Sequence, residues 1–369
     1  MGDASIAPAF IVKFMRRHAL ALLLVFAPIS FFLEFVAPHH HTAIFITAAL
    51  TIIPLAGYIG QATDELSDRL GGGIGGLLNA TFGNAAELII GTLALRHGLF
   101  DLVKASITGS IIGNVLLVFG ASALVGGFAY DTQRFNRTAA SQGTTMLLLS
   151  AIGLVVPAVF HLLVRRVPDA PELTLDTEIA VVLLLTYVAS LVFTLRTHRH
   201  LYGIDALEHP KSSRRSVKPA LVLLLGATAG VAVMSELLVG AVTDAADALG
   251  MSHLFVGVIV VALVGNAAEH YSAVVMAARN QMDASISIAV GSSIQIALFV
   301  APVLVFLSYL IAPQPMDLLF TTFEVVSVAL SVLTIAFIAH DGETHWMEGV
   351  QLLAVYLILG LAFFFLPSR

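Results

Sequence analysis

Apolar runs about as long as a bilayer is thick recur from one end of this 369-residue chain to the other. A hydrocarbon core about 30 Å thick needs roughly 20 apolar residues of helix. Eleven segments meet that length, at approximately 17–37, 43–63, 74–97, 103–127, 139–163, 177–197, 218–243, 253–279, 285–311, 318–339 and 347–366. They lack strand alternation, and in lipid only helices and closed barrels satisfy their own backbone. The reading is an all-α polytopic membrane protein of eleven transmembrane helices. Composition agrees: 58% of residues are hydrophobic and 11% charged, where a soluble domain carries about 25% charged residues.

Other classes fall away. The net charge of -6 says little about partners, and no long basic run or aromatic-basic interleaving suggests nucleic acid. With no cysteine there is no disulfide framework, thiolate metal site or cysteine nucleophile. The run after Lys13, Arg16 and Arg17 is longer than a signal-peptide core and reads as an uncleaved first span. Basic residues concentrate on one side when the N-terminus is placed inside, with Lys211, Arg214 and Arg215 prominent among them. The predicted N-terminus is therefore cytoplasmic and the C-terminus external, in a prokaryotic plasma membrane.

Gly83-Asn84-Ala85-Ala86-Glu87 recurs as Gly265-Asn266-Ala267-Ala268-Glu269, an offset of 182 residues. At the same offset Gly109-Ser110 matches Gly291-Ser292, and Ile112 matches Ile294. The first copy falls in the third span and the second in the eighth, so the copies cross the membrane in opposite directions. This is an inverted-topology repeat with one extra span in front. The expected division is 1–42 with the first span, a five-helix repeat over 43–198, a cytoplasmic linker over 199–217, and a second five-helix repeat over 218–369.

In such folds the substrate site lies near the midplane between the repeats. Glu87 and Glu269 are acids at that depth, and intramembrane acids usually face a pathway and serve function. A glycine before each weakens the helix and lets backbones approach. Gly83, Asn84, Gly265 and Asn266 would add amide and carbonyl oxygens to the carboxylates. A hard-oxygen set of that kind suits Ca²⁺ or another hard divalent cation. Ser110 and Asn114 share a face of the fourth span, as do Ser292 and Gln295 on the ninth, with Ser293 beside them. These are candidates to bond the carboxylates or hold a coordinated water, although serine, asparagine and glutamine also bond helices together. Glu236, well inside the seventh span, is a candidate proton or gating group, with Asp64 and Glu65 at the end of the second. Gly109, Gly113 and the 71–76 glycine run read as close-packing sites, Glu324 as interfacial, His270 as a supporting group, and His39, His40 and His41 as a solvated external turn.

These motifs resemble the calcium/proton antiporters, the CAX family of the cation/calcium exchanger superfamily. The likeness rests on GNAAE followed by Leu88, GNAAE followed by His270, Gly291-Ser292-Ser293-Ile294-Gln295, ATDEL at 62–66, Ser235-Glu236, and HDGETHWMEG at 340–349. It implies alternating access between two inverted halves, Ca²⁺ coordination by Glu87 and Glu269, and a pathway lined by Gln295, Ser292 and Asn114. Eukaryotic members carry an acidic helix between the halves and a long N-terminal tail, whereas the 199–217 loop is short and mixed in charge. The partners expected are Ca²⁺ and H⁺ as cargo and the lipid bilayer, with no cofactor, no nucleic acid, and room for a homo-oligomer. A sodium/calcium exchanger of the same superfamily, a passive channel and an intramembrane metal-dependent enzyme using Glu269 and His270 are the alternatives.

Overall fold

The structure, a computed structural model, describes residues 21–70, 72–164, 167, 171–198 and 217–366. Lys13, Arg16, Arg17, Lys211, Arg214 and Arg215, with almost all of the 199–217 linker, lie outside the described residues. Nearly everything described is helix. The first half contains α1 (Phe26–Val36), α2 (His41–Leu70), α3 (Gly72–Phe82), α4 (Ala85–Arg96), α5 (Phe100–Gly127), α6 (Arg137–Val164) and α7 (Glu172–Thr197). The second contains α8 (Lys218–Leu249), α9 (His253–Gly265), α10 (Ala267–Ala278), α11 (Met282–Ile311), α12 (Thr322–Ile338) and α13 (Trp346–Phe365). Seven of these are long and apolar enough to cross a bilayer: α2, α5, α6, α7, α8, α11 and α13. The pair α9 and α10 passes the same test as one span bent by 64°. The other three predicted runs fall on the shorter apolar helices Leu23–Val36 and Thr322–Ile338 and on the interrupted pair α3 and α4.

The perimeter is apolar, as lipid demands: Leu185, Val222, Phe337 and Leu357 all point outward. The interior is packed from small and branched residues. Between α2, α4 and α8 the contact is made by Ala56, Ala62, Ala85, Ala86, Ala220 and Ala227, small side chains that let membrane helices close on one another. Gly75 belongs to the same design: a Cβ there would lie 2.8 Å from Ser67 Cα, and Ser67 Oγ donates to the Gly75 carbonyl at 2.9 Å.

Two backbone features repeat with the motifs. Asn84 (φ −103°, ψ 22°) and Asn266 (φ −94°, ψ 7°) leave helical geometry and divide α3 from α4 and α9 from α10. Wide π-helical turns at Gly113–Val118 and Ile296–Val300 interrupt α5 and α11 at almost the same offset, a device that often sits beside functional groups.

Contacts between loops fix which ends share a side. β1 (Gln133–Arg134), after α5, pairs antiparallel with β2 (Glu343–Thr344), before α13, with Gln133 opposite Thr344. We call this side inner. On the opposite, outer side Lys104 donates to the Asp317 carboxylate and to the Leu319 carbonyl. Above the ladder α5 and α13 touch backbone to backbone: a Cβ on Gly349 would come 2.4 Å from Leu124 N and 2.6 Å from Gly120 O.

Lys104, a lysine at the outer end of an apolar run, is only 8% exposed, and Glu324, expected at an interface, is 1% exposed. Glu324 closes a capping box with Thr321 and accepts from Thr108 Oγ1 at 3.2 Å. The Thr-x-x-Glu spacing is the signature of that cap. Lys104→Met should destabilise the fold by about 1–3 kcal/mol, less than a fully buried pair because Asp317 is half-exposed. A lowered Tm in detergent, recovered in part by Asp317→Asn in the double variant, checks this.

Candidate cation site

The motif breaks do the positioning. Each begins a new helix one residue after an asparagine, so Glu87 lies in the first turn of α4 and Glu269 in the first turn of α10. Helix N-termini favour negative charge, and the broken helices aim both carboxylates at the centre of the molecule. The two motifs interlock. A Cβ built on Gly265 would lie 3.2 Å from Glu87 Oε1, and one on Gly83 would lie 3.6 Å from Glu269 Oε1. Each carboxylate thus rests against the glycine of the other half's motif, in space that a side chain would fill.

Both acids keep capacity to spare. Glu87 is 7% exposed, and Oε2 of Glu87 and Oε2 of Glu269 are buried with no hydrogen-bond partner. Ser292 is buried and lies close to Glu269. Buried polar atoms without partners are rare in native proteins, and a carboxylate oxygen in that condition fits a transient cation or proton. No group of three or more His, Asp or Glu side chains placed to hold a metal ion occurs among the described residues. The charge available to a divalent cation here is that of two carboxylates, supplemented by amides, hydroxyls and backbone.

The amides are held by the neighbouring helices. Asn84 Nδ2 donates to Gln295 Oε1 at 2.5 Å. Asn266 Nδ2 donates to Ser110 Oγ and to the Ala262 carbonyl, both at 2.9 Å. Asn114 bridges Asn266 Oδ1 at 3.5 Å and His270 Nε2 at 3.1 Å. The halves differ in detail, since Leu88 stands where the second half has His270.

Residues 40–196 and 219–365 match the sodium/calcium exchanger protein family. The chain belongs to that family. It is 44% identical over 363 residues to a Ca(2+)/H(+) antiporter of Synechocystis, covering 94% of this chain and 97% of the relative. It is 46% identical over 327 residues to the Ca(2+)/H(+) antiporter ChaA of Bacillus subtilis, covering 88% and 92%. The solved structure of native YfkE superposes with a TM-score of 0.81 at 42% identity, covering 94% of this chain and 100% of that one.

Within this exchanger-family fold the remaining candidates are placed apart from the glutamate pair. Ser293 Oγ donates back to the Ala289 carbonyl at 2.9 Å and reaches the Ile111 carbonyl at 3.5 Å, a brace between α11 and α5. Glu236 is exposed in the outer half of α8 and pairs with His97 at 3.1 Å. Asp64 is exposed near the inner end of α2, and Glu65 pairs with Arg69 one turn on. Gly109 is a close-packing site, with the Val258 carbonyl 1.9 Å from where its Cβ would be, but Gly113 has nothing within 4 Å. The partner of Glu236 escaped the sequence reading because His97 ends α4, 139 residues away.

Proposed function

We propose that this chain is a secondary transporter that exchanges Ca²⁺ for H⁺ by alternating access, with Glu87 and Glu269 as the shared cation and proton site. The observation that carries the reading is the reciprocal seating of each glutamate against the other motif's glycine, and the antiporter relatives at 44–46% identity supply the cargo. Gly83, Asn84, Gly265 and Asn266 shape the site. Ser110, Asn114, Ser292 and Gln295 hold its amides and carboxylates in place. The chain crosses the membrane eleven times in a 1 + 5 + 5 arrangement, with boundaries at 42, 198 and 217, an internal N-terminus and an external C-terminus.

Coupling follows from electrostatics. Two ionised carboxylates buried side by side repel each other and lose their hydration, so an empty, doubly charged site is costly to occlude. Ca²⁺ cancels both charges, and protons cancel the same charges. The two cargoes therefore compete, and only a neutralised site crosses readily between the two sides. A leak of one cargo without the other requires passage through the charged, empty state.

The deciding measurement is flux in proteoliposomes. An imposed pH gradient should drive uptake of ⁴⁵Ca²⁺, and Ca²⁺ added against no gradient should move protons the other way. A sodium gradient at fixed pH should drive none. Na⁺-driven uptake with no response to pH would replace this reading with the sodium/calcium exchange found elsewhere in the family, and a current that reverses at the Ca²⁺ equilibrium potential would make the chain a channel.

A further inference from the structure

Asp283, Ser287, Gly291 and Gln295 follow one another at a spacing of four along α11 and so share a face of the helix. From Asp283 at the inner end to Gln295 the stripe rises about 18 Å. All four residues line a cavity of about 220 Å³ between α6, α7 and α11. At its inner end the Asn136 backbone N–H donates to the Asp283 carboxylate. At its deep end Gln295 accepts from Asn84 of the first motif. The cavity therefore runs from the inner surface to a side chain one hydrogen bond from the glutamate motif. Its volume accommodates about seven waters. The hydroxyl of Tyr187, a residue 5% exposed, is buried in the wall without a protein partner, and water in the cavity would satisfy it.

The repeat explains why the space exists. Gly109 is the counterpart of Gly291. On the outer side α9 lies so close to α5 that a Cβ on Gly109 would sit 1.9 Å from the Val258 carbonyl. A Cβ on Gly291 would meet nothing within 4 Å. The element that the repeat pairs with α9 is α3, which packs on α2 and on the inner end of α7. Leu77 on α3 is 54% exposed, and no comparable packing joins α3 to α11 among the described residues.

We propose that this cavity is the inner access route to the exchange site, taking hydrated divalent cations past Asp283 and Ser287, and that Gly291 is where α3 seals it when the outer side opens. The inference rests on the exchange reading above and adds the path and its closing point.

A chain without cysteine permits a direct test. Ser287→Cys and Gly291→Cys variants of the full chain are treated with a charged, membrane-impermeant methanethiosulfonate, in inverted vesicles and in intact cells. Both are expected to react from the inner side, and saturating Ca²⁺ should change the rate at Gly291→Cys. Gly291→Leu should lose at least about 10-fold in Ca²⁺ uptake and Gly291→Ala should lose part of it, because a Cβ there would meet α3 in the sealed state as one on Gly109 would meet α9. Reaction from the outer side alone overturns the route. So does reaction with a hydrophobic maleimide but not the charged reagent, the outcome for a lipid-filled crevice. Labelling is read without transport. Failed labelling beside intact Ca²⁺/H⁺ exchange overturns the route alone, whereas inner labelling indifferent to Ca²⁺ in a chain that exchanges nothing overturns both readings.

Discussion

Replacing Glu87 or Glu269 by glutamine is expected to cut proton-driven Ca²⁺ uptake at least about 100-fold, since even groups that merely support a metal ligand typically cost 10–100-fold when removed. Glutamine keeps the shape of the side chain and removes one of the two charges that balance the cation. Ca²⁺ held by the remaining carboxylate would leave a net positive charge in a dry interior. The fold should survive, because Oε2 of each glutamate has no partner in the protein to strand. A buried like-charged pair is itself a cost, so Tm should hold or rise. Flux in inverted vesicles and melting in detergent, measured on the same preparations, separate loss of the site from loss of the fold. Wild-type transport in either variant would reject a shared site.

The second large effect concerns stability and should differ sharply between two equivalent glycines. Gly109→Ala forces a methyl into the Val258 carbonyl, 1.9 Å away, so α5 and α9 must separate along their length. Overpacking of a tight core costs about 1–3 kcal/mol and occasionally more, and a clash with backbone belongs at the upper end. Gly291→Ala places its methyl in open space and should leave Tm unchanged or slightly raised, since alanine is the better helix former by about 1 kcal/mol. Parallel thermal melts of the two variants check the contrast, and equal destabilisation would mean that both halves are packed alike.

Much of this was legible beforehand because it depends on periodicities carried by the sequence. Runs of bilayer length became helices, and the motif repeated at one offset broke its helix at Asn84 and again at Asn266, setting each glutamate against the other copy's glycine at one centre. Ser110, Asn114, Ser292 and Gln295 joined that centre because spacings of three and four share a helix face. The reading was less successful where the answer depends on distant partners. Lys104 carries the signature of a loop charge, and only the approach of the loop before α12 buries it beside Asp317. Glu236 looked like an intramembrane acid by depth alone, but its face of α8 meets the end of α4 and finds His97. Nor does a repeat in sequence disclose an inequality in conformation. Gly109 and Gly291 are equivalent as letters, and one is sealed while the other stands open.

The seam between α5 and α13 has a mechanical consequence. Gly120 and Gly349 bring the backbones of these helices into contact, and the β1–β2 ladder ties their inner ends by main-chain hydrogen bonds. One helix comes from each sequence repeat. In the division we propose, with repeats over 43–198 and 218–369, this strut joins the two, and we expect it to move as one piece with any hinge in the elements that flank it.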